Sequence, residues 1–175
     1  MEAFKLIHQN SNAILEEEEY GSTEEAYSRS MIDILEEYNE VDGVTVSHYS
    51  MLSSGGNEIA KINGFSVNEE VEDYQVTLFI NKYSSNIDLL ETIPTSDVNL
   101  LKNKIVKFLK SSIEGKNDSI QEHSTIYQLS KDIEAKAHKI TKVDIYILTN
   151  LKFPKIERLI GHDQLNNIDL NFNYW

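Results

Sequence analysis

Apolar and polar positions divide the chain into alternating helical and extended stretches. From Glu2 to Glu19, Phe4, Leu6, Ile7, Ala13, Ile14 and Leu15 fall in helical clusters, which predicts a first helix ending in the run Glu16 to Glu19. Four acids there oppose the helix dipole, so that end is expected to fray, and it reads as a solvated face. Gly21 closes a turn, and Ser22 with Glu25 forms an S-x-x-E capping box. The recurrence of Ala26, Tyr27, Met31, Ile34, Leu35 and Tyr38 then predicts a helix over 22–39. Past the turn signal Val41-Asp42-Gly43, Val44 to Leu52 alternates as a strand, with Val44, Val46 and His48 on one face. Ser53-Ser54-Gly55-Gly56-Asn57 is a loop. Neither a following Lys-Ser/Thr nor a G-x-G-x-x-G pattern makes it a phosphate cradle.

The organising stretch is Ala60 to Ser84. It holds a strand from Ala60 to Val67, an acidic turn from Asn68 to Asp73, and a second strand from Tyr74 to Ile80, apolar enough to be covered on both faces. No period dominates from Tyr83 to Ile93. After Pro94, Thr95 or Ser96 caps a helix over 96–114 with Asp97 in its first turn and a stripe of Val98, Leu101, Ile105, Phe108, Leu109 and Ile113. A polar loop from Gly115 to Ser124 precedes a helix over 125–140 built on Ile126, Leu129, Ile133 and Ala137. Val143 to Leu148 is a strand. A short element is expected near Ile156 to Ile160, and Ile168 to Trp175 alternates as a last strand. Helices separating strands point to an α/β domain with a mixed sheet of about five strands, flanked by helices in three layers.

A chain of 175 residues that is 40% hydrophobic and has two prolines supports one domain, 1–175, with a core. The absence of cysteine excludes disulfides and thiolate chemistry and fits a reducing interior. No signal region and no membrane-length apolar run occurs, so a soluble, cytoplasmic protein without membrane partners is expected. The net charge of -13 is uneven: residues 1–100 carry 20 acids against 4 bases, residues 101–175 carry 9 against 12. Solubility accounts for this, and the acidic half would repel a phosphate backbone. Lys102, Lys104, Lys107 and Lys110 form the basic cluster. The later ones suit a helix C-terminus, and a nucleic-acid contact is the weaker alternative.

His8, His48, His123, His138 and His162 stand apart, without H-x-H or H-E-x-x-H spacing, so no metal site is expected from them. His48 reads as a partly buried strand histidine. The remaining chemistry is metal-assisted phosphodiester hydrolysis, which needs spaced carboxylates for Mg²⁺ and a lysine. The order of a helix glutamate (Glu24 or Glu25), strand, turn and a strand ending in Lys82 resembles the restriction-endonuclease-like core. Its D/E-x-K tripeptide would fall on Ile80-Asn81-Lys82 and its aspartate on Asn63, so the core resembles a degenerate one. Glu24, Glu25, Asp42, Asp73 and Lys82 remain the catalytic candidates. No cofactor is expected unless a nuclease reading brings in Mg²⁺.

INGFSV, the acidic turn, YQVTLFINKY, LLKNKIVKFLKSS, VDIYILTN and the closing IDLNFNYW together resemble the N-terminal region of bacterial abortive infection phage resistance proteins, over roughly residues 20–175. The resemblance implies a phage-defence protein continuing beyond Trp175, with that C-terminal part as a partner. It carries over no catalytic residue. A nuclease-like scaffold recognising a partner, a nucleic acid or another copy is the first reading. A metal-dependent nuclease is the second, and a homo-oligomer formed through the last strand is the third.

Overall fold

A computed structural model describes residues 22–85, 91–116, 118–155 and 163–175. The predicted helix over Glu2 to Glu19, with His8, and the element near Ile156 to Ile160, with His162, lie outside these residues. Helix α1 spans Thr23–Glu37, and the Ser22 hydroxyl accepts from the Glu25 N–H at 3.3 Å, as the capping box requires. Strands β1 (Thr45–Leu52), β2 (Glu58–Glu69) and β3 (Tyr74–Lys82) form an antiparallel meander. Helices α2 (Thr95–Ile113) and α3 (Thr125–Lys136) then carry the chain to β4 (Lys142–Thr149), which pairs in parallel with β3. Strands β5 (Asp163–Leu165) and β6 (Ile168–Tyr174) complete a six-stranded mixed sheet in the order β1-β2-β3-β4-β6-β5.

Two cores flank this sheet. On one face α1 packs Tyr27, Met31, Ile32 and Leu35 against Val44, Phe79, Tyr146 and Leu148. On the other, α2 and α3 place Val98, Leu101, Ile105, Phe108, Leu109, Ile126, Leu129 and Ile133 over Ala60, Ile62, Leu78, Ile80, Ile145 and Ile147. Phe79 and Ile80 therefore serve opposite cores, and that is why β3 reads as continuously apolar.

The expected α/β sandwich is present, with differences of detail. A sixth strand appears because Asp163–Leu165 adds to β6 through a turn at Asn166, whose φ is 56°. Three residues are too few to alternate visibly. The last strand, offered above as a route to a homo-oligomer, lies between β4 and β5, and β5 covers its outer edge over Ile168–Leu170. Helix α2 begins at Thr95 with Pro94 as its N-cap and no side-chain cap bond, so neither Thr95 nor Ser96 caps it. Helix α3 passes at Ala137–Lys139 into a 3₁₀ turn, where the apolar stripe predicts one helix running on.

Candidate functional site

The β2–β3 hairpin pairs over six positions, from Glu69 opposite Tyr74 to Gly64 opposite Phe79, and the pairing then stops. Continued in register, Ile62 would face Asn81 and exchange two backbone hydrogen bonds with it. Side chains take over instead. The Asn81 N–H donates to Asn63 Oδ1 at 2.9 Å, and the Asn81 carbonyl accepts from Lys61 Nζ at 3.4 Å. The residues on either side of Ile62 thus replace its C=O and N–H, and they hold the hairpin open where it reaches α1.

The opening is filled by a polar cluster. Asn81 Nδ2 donates to the Glu24 carbonyl at 3.2 Å and to the Ser28 hydroxyl, fixing β3 to the first turns of α1. Lys61 pairs with the Glu24 carboxylate. Asn63 Nδ2 donates to His48 Nδ1 at 2.8 Å. Because Asn63 Oδ1 already accepts from a backbone N–H, the amide orientation is fixed and His48 Nδ1 must be the acceptor. The neutral ring then carries its proton on Nε2. Asn63 and Asn81 are 1% and 0% exposed, so each depends on these bonds to offset burial. His48 Nε2 and Asn81 Oδ1 have no hydrogen-bond partner among the described residues.

Two cavities flank the cluster. One of about 510 Å³ lies between the open hairpin and the first half of α2, lined by Glu24, Glu58, Lys61, Lys82, Asp97 and Lys104. Its charges are matched in pairs, Lys61 with Glu24, Lys82 with Asp97 and Lys104 with Glu58 at 2.6 Å. A second, of about 180 Å³, lies on the β1 side beside His48, Glu25 and Ser22. Burial lowers the His48 pKa. The carboxylates of Glu25 and Glu24 oppose this, and Lys61 adds to it. At Glu58, burial pushes the carboxyl up, but hydrogen bonds from Lys104 and Ser50, with the charges of Lys104 and Lys61, bring it below the usual value.

The residues anticipated from sequence divide between this cluster and distant places. Glu24 is in it, Glu25 lines the smaller cavity, and Lys82 lines the larger one, paired with Asp97. Asp42 follows the opposite end of α1, and Asp73 is at the hairpin tip beside Gln75. The nine-residue β3, which ends in Lys82, carries the chain roughly 30 Å from the tip. The structure does not bring Asp42 or Asp73 to Glu24 or Lys82. Of the α2 lysines, Lys102 pairs with Asp163 and lies 4.2 Å from the Phe172 ring centre, Lys104 holds Glu58, and Lys110 is 3.8 Å from Glu114. Lys107 is exposed.

Sequence reasoning misses Lys61, Ser28 and Asn81. The position that a nuclease-like tripeptide assigns to a carboxylate is Ile80, but its side chain lies in the core beneath α2 and α3, whereas Asn81 turns to α1. Among the described residues no three His, Asp or Glu side chains are grouped to hold a metal ion. The donor chemistry also does not fit Mg²⁺: His48 offers an N–H, the Asn63 oxygen is occupied, and an ammonium already faces Glu24.

Fold and site together define a mixed-sheet α/β domain with a buried amide and ion-pair cluster at an opened hairpin. The chain belongs to the family described as the abortive infection phage resistance protein N-terminal domain, whose family model matches residues 27–175. It is therefore a domain of a phage-resistance protein. The matched stretch begins inside α1, after Glu24, and includes the whole sheet. No curated protein matches the chain. No solved structure matches it either. No helix among the described residues is long and apolar enough to cross a membrane.

Proposed function

We propose that this domain is a nuclease-like scaffold without a complete metal site, and that it serves phage defence by recognition rather than hydrolysis. The observation that carries this reading is the chemistry of the opened hairpin: of the two positions where carboxylates would be needed, Asn63 is a buried amide and Ile80 a core side chain, and an ammonium faces Glu24. Its partner is a protein surface, either the remainder of the same phage-resistance protein or another copy of the chain. A nucleic acid is disfavoured because three of the four α2 lysines that would meet phosphates, Lys102, Lys104 and Lys110, already face acids, leaving Lys107, and the chain's net charge is -13. The reading places the protein in the cytoplasm.

The hydrolytic alternative would need Mg²⁺ at Glu24 with Lys82 beside it. Incubating the protein with Mg²⁺ or Mn²⁺ and plasmid DNA or RNA, next to a Lys82→Ala control, tests both. No Lys82-dependent cutting is expected, and cutting that disappears in the control would overturn the recognition reading.

A further inference from the structure

Lys61 is the least expected side chain in the cluster. It sits on a strand with only 12% of its side chain exposed, and lysine is rarely so buried unless its charge is matched. Oxygens converge on that charge from two elements: the Glu24 carboxylate from α1 and the Asn81 carbonyl from β3. The Glu58 carboxyl, held by Lys104, is close enough for the Lys61 charge to help keep it ionised. Carboxylate and backbone carbonyl oxygens around one positive charge are the ligand set of a hard cation.

We propose that the Lys61 ammonium is the resident cation of the opened hairpin, supplying from within the chain the charge that a bound divalent ion would otherwise supply and closing the place to one. The proposal rests on the reading of the domain as a scaffold without a complete metal site, and adds what fills that place. The pairing geometry gives the reason. Past Gly64 the Asn81 carbonyl has lost its backbone donor on β2, and a carbonyl needs either a donor or a cation. Lys61 provides both in one group. At Asn81, Asn63 serves the N–H and not the carbonyl, so removing the ammonium leaves the Asn81 carbonyl and the Glu24 carboxylate facing one gap. Manganese and magnesium bind such places through one or two carboxylates while keeping water as their other ligands.

The test is Mn²⁺ titration by calorimetry, together with thermal unfolding in metal-free and Mn²⁺-containing buffer. Wild type and Glu24→Gln should give superimposable Mn²⁺ titrations. Lys61→Ala should melt lower in metal-free buffer, recover part of the loss with Mn²⁺, and bind the ion at least about tenfold more tightly than wild type. Adding Glu24→Gln to Lys61→Ala should abolish that gain. Glu24-dependent uptake by wild type, or no gain in Lys61→Ala, overturns the proposal. Should Lys61→Ala fail to fold, amine methylation read by mass spectrometry decides. Lys61 should be protected relative to Lys116, whose side chain is 71% exposed, and lose that protection in Glu24→Gln. Equal reactivity of Lys61 and Lys116 in the wild type overturns it. Neither readout depends on nuclease activity: Lys82-dependent cutting without Glu24-dependent Mn²⁺ uptake would sink the proposed function alone, and uptake without cutting would sink this inference alone.

Discussion

Replacing Asn63 by alanine removes a side chain that bridges β1 and β3 across the open hairpin. Asn63→Ala leaves the buried Asn81 N–H without its acceptor at 2.9 Å and His48 Nδ1 without its donor at 2.8 Å. A buried orphaned N–H costs about 1–3 kcal/mol and a lost neutral hydrogen bond about 1 kcal/mol, so about 2–3 kcal/mol is expected once a water enters the space left behind. For a chain of this size that lowers the melting temperature by about 4–12 °C, which thermal unfolding followed by circular dichroism resolves. A melting temperature within about 1 °C of wild type would refute the bridging role. Asn63→Asp sharpens the test through its pH dependence. One carboxylate oxygen still accepts from Asn81, but the other faces His48 Nδ1, which then favours carrying a proton. In wild type the His48 pKa is lowered, so its contribution is present above about pH 6.5 and is lost as pH falls through the folded pKa. In Asn63→Asp the carboxylate raises that pKa from its lowered value, so less stability should be lost as pH falls below about 6.5 than in wild type. A slope below about pH 6.5 unchanged from wild type would refute the contact between position 63 and the His48 ring.

Two smaller perturbations probe the face that α1 covers. A Cβ added at Gly64 would meet Ile32 Cδ1 and the Thr45 carbonyl oxygen, both at 3.2 Å, and the second is backbone paired with β2 beside Gly64. Gly64→Ala should therefore destabilise by about 1–3 kcal/mol in urea unfolding, and an unchanged midpoint would contradict the packing. The Tyr27 hydroxyl is buried with no hydrogen-bond partner among the described residues, and burial pushes its pKa well above the usual tyrosine range. Tyr27→Phe should leave the protein as stable or stabilise it by up to about 1 kcal/mol, and a drop in melting temperature would mean that the hydroxyl is satisfied.

Most of the architecture is legible in the sequence because it rests on local periodicity. The capping box at Ser22, the stripes of α2 and α3 and the apolar run of β3 each express burial on a known side, and burial is what periodicity reports. The short β5 escapes because three residues, partly buried and partly exposed, carry no period. The cluster escapes for a different reason. Alternation predicts that a hairpin keeps pairing, so nothing marks Lys61, and Asn81 reads as one step in a tripeptide.

The hairpin's opening belongs to the tertiary structure. At β1, Val46 faces Gly64 while Tyr49 faces Ile62, so β1 carries one extra residue beside Asn63. That irregularity brings His48 to the Asn63 amide, and it occurs where β2 leaves β3. One signal for it does lie in the sequence: asparagine within the apolar runs Ile62-Asn63-Gly64-Phe65 and Phe79-Ile80-Asn81. A buried amide is costly unless every group on it is matched, so two of them in neighbouring strands of one hairpin imply a shared network. What the runs alone cannot give is that the network's cation comes from Lys61, because its ion pair joins residues 37 positions apart, on β2 and α1.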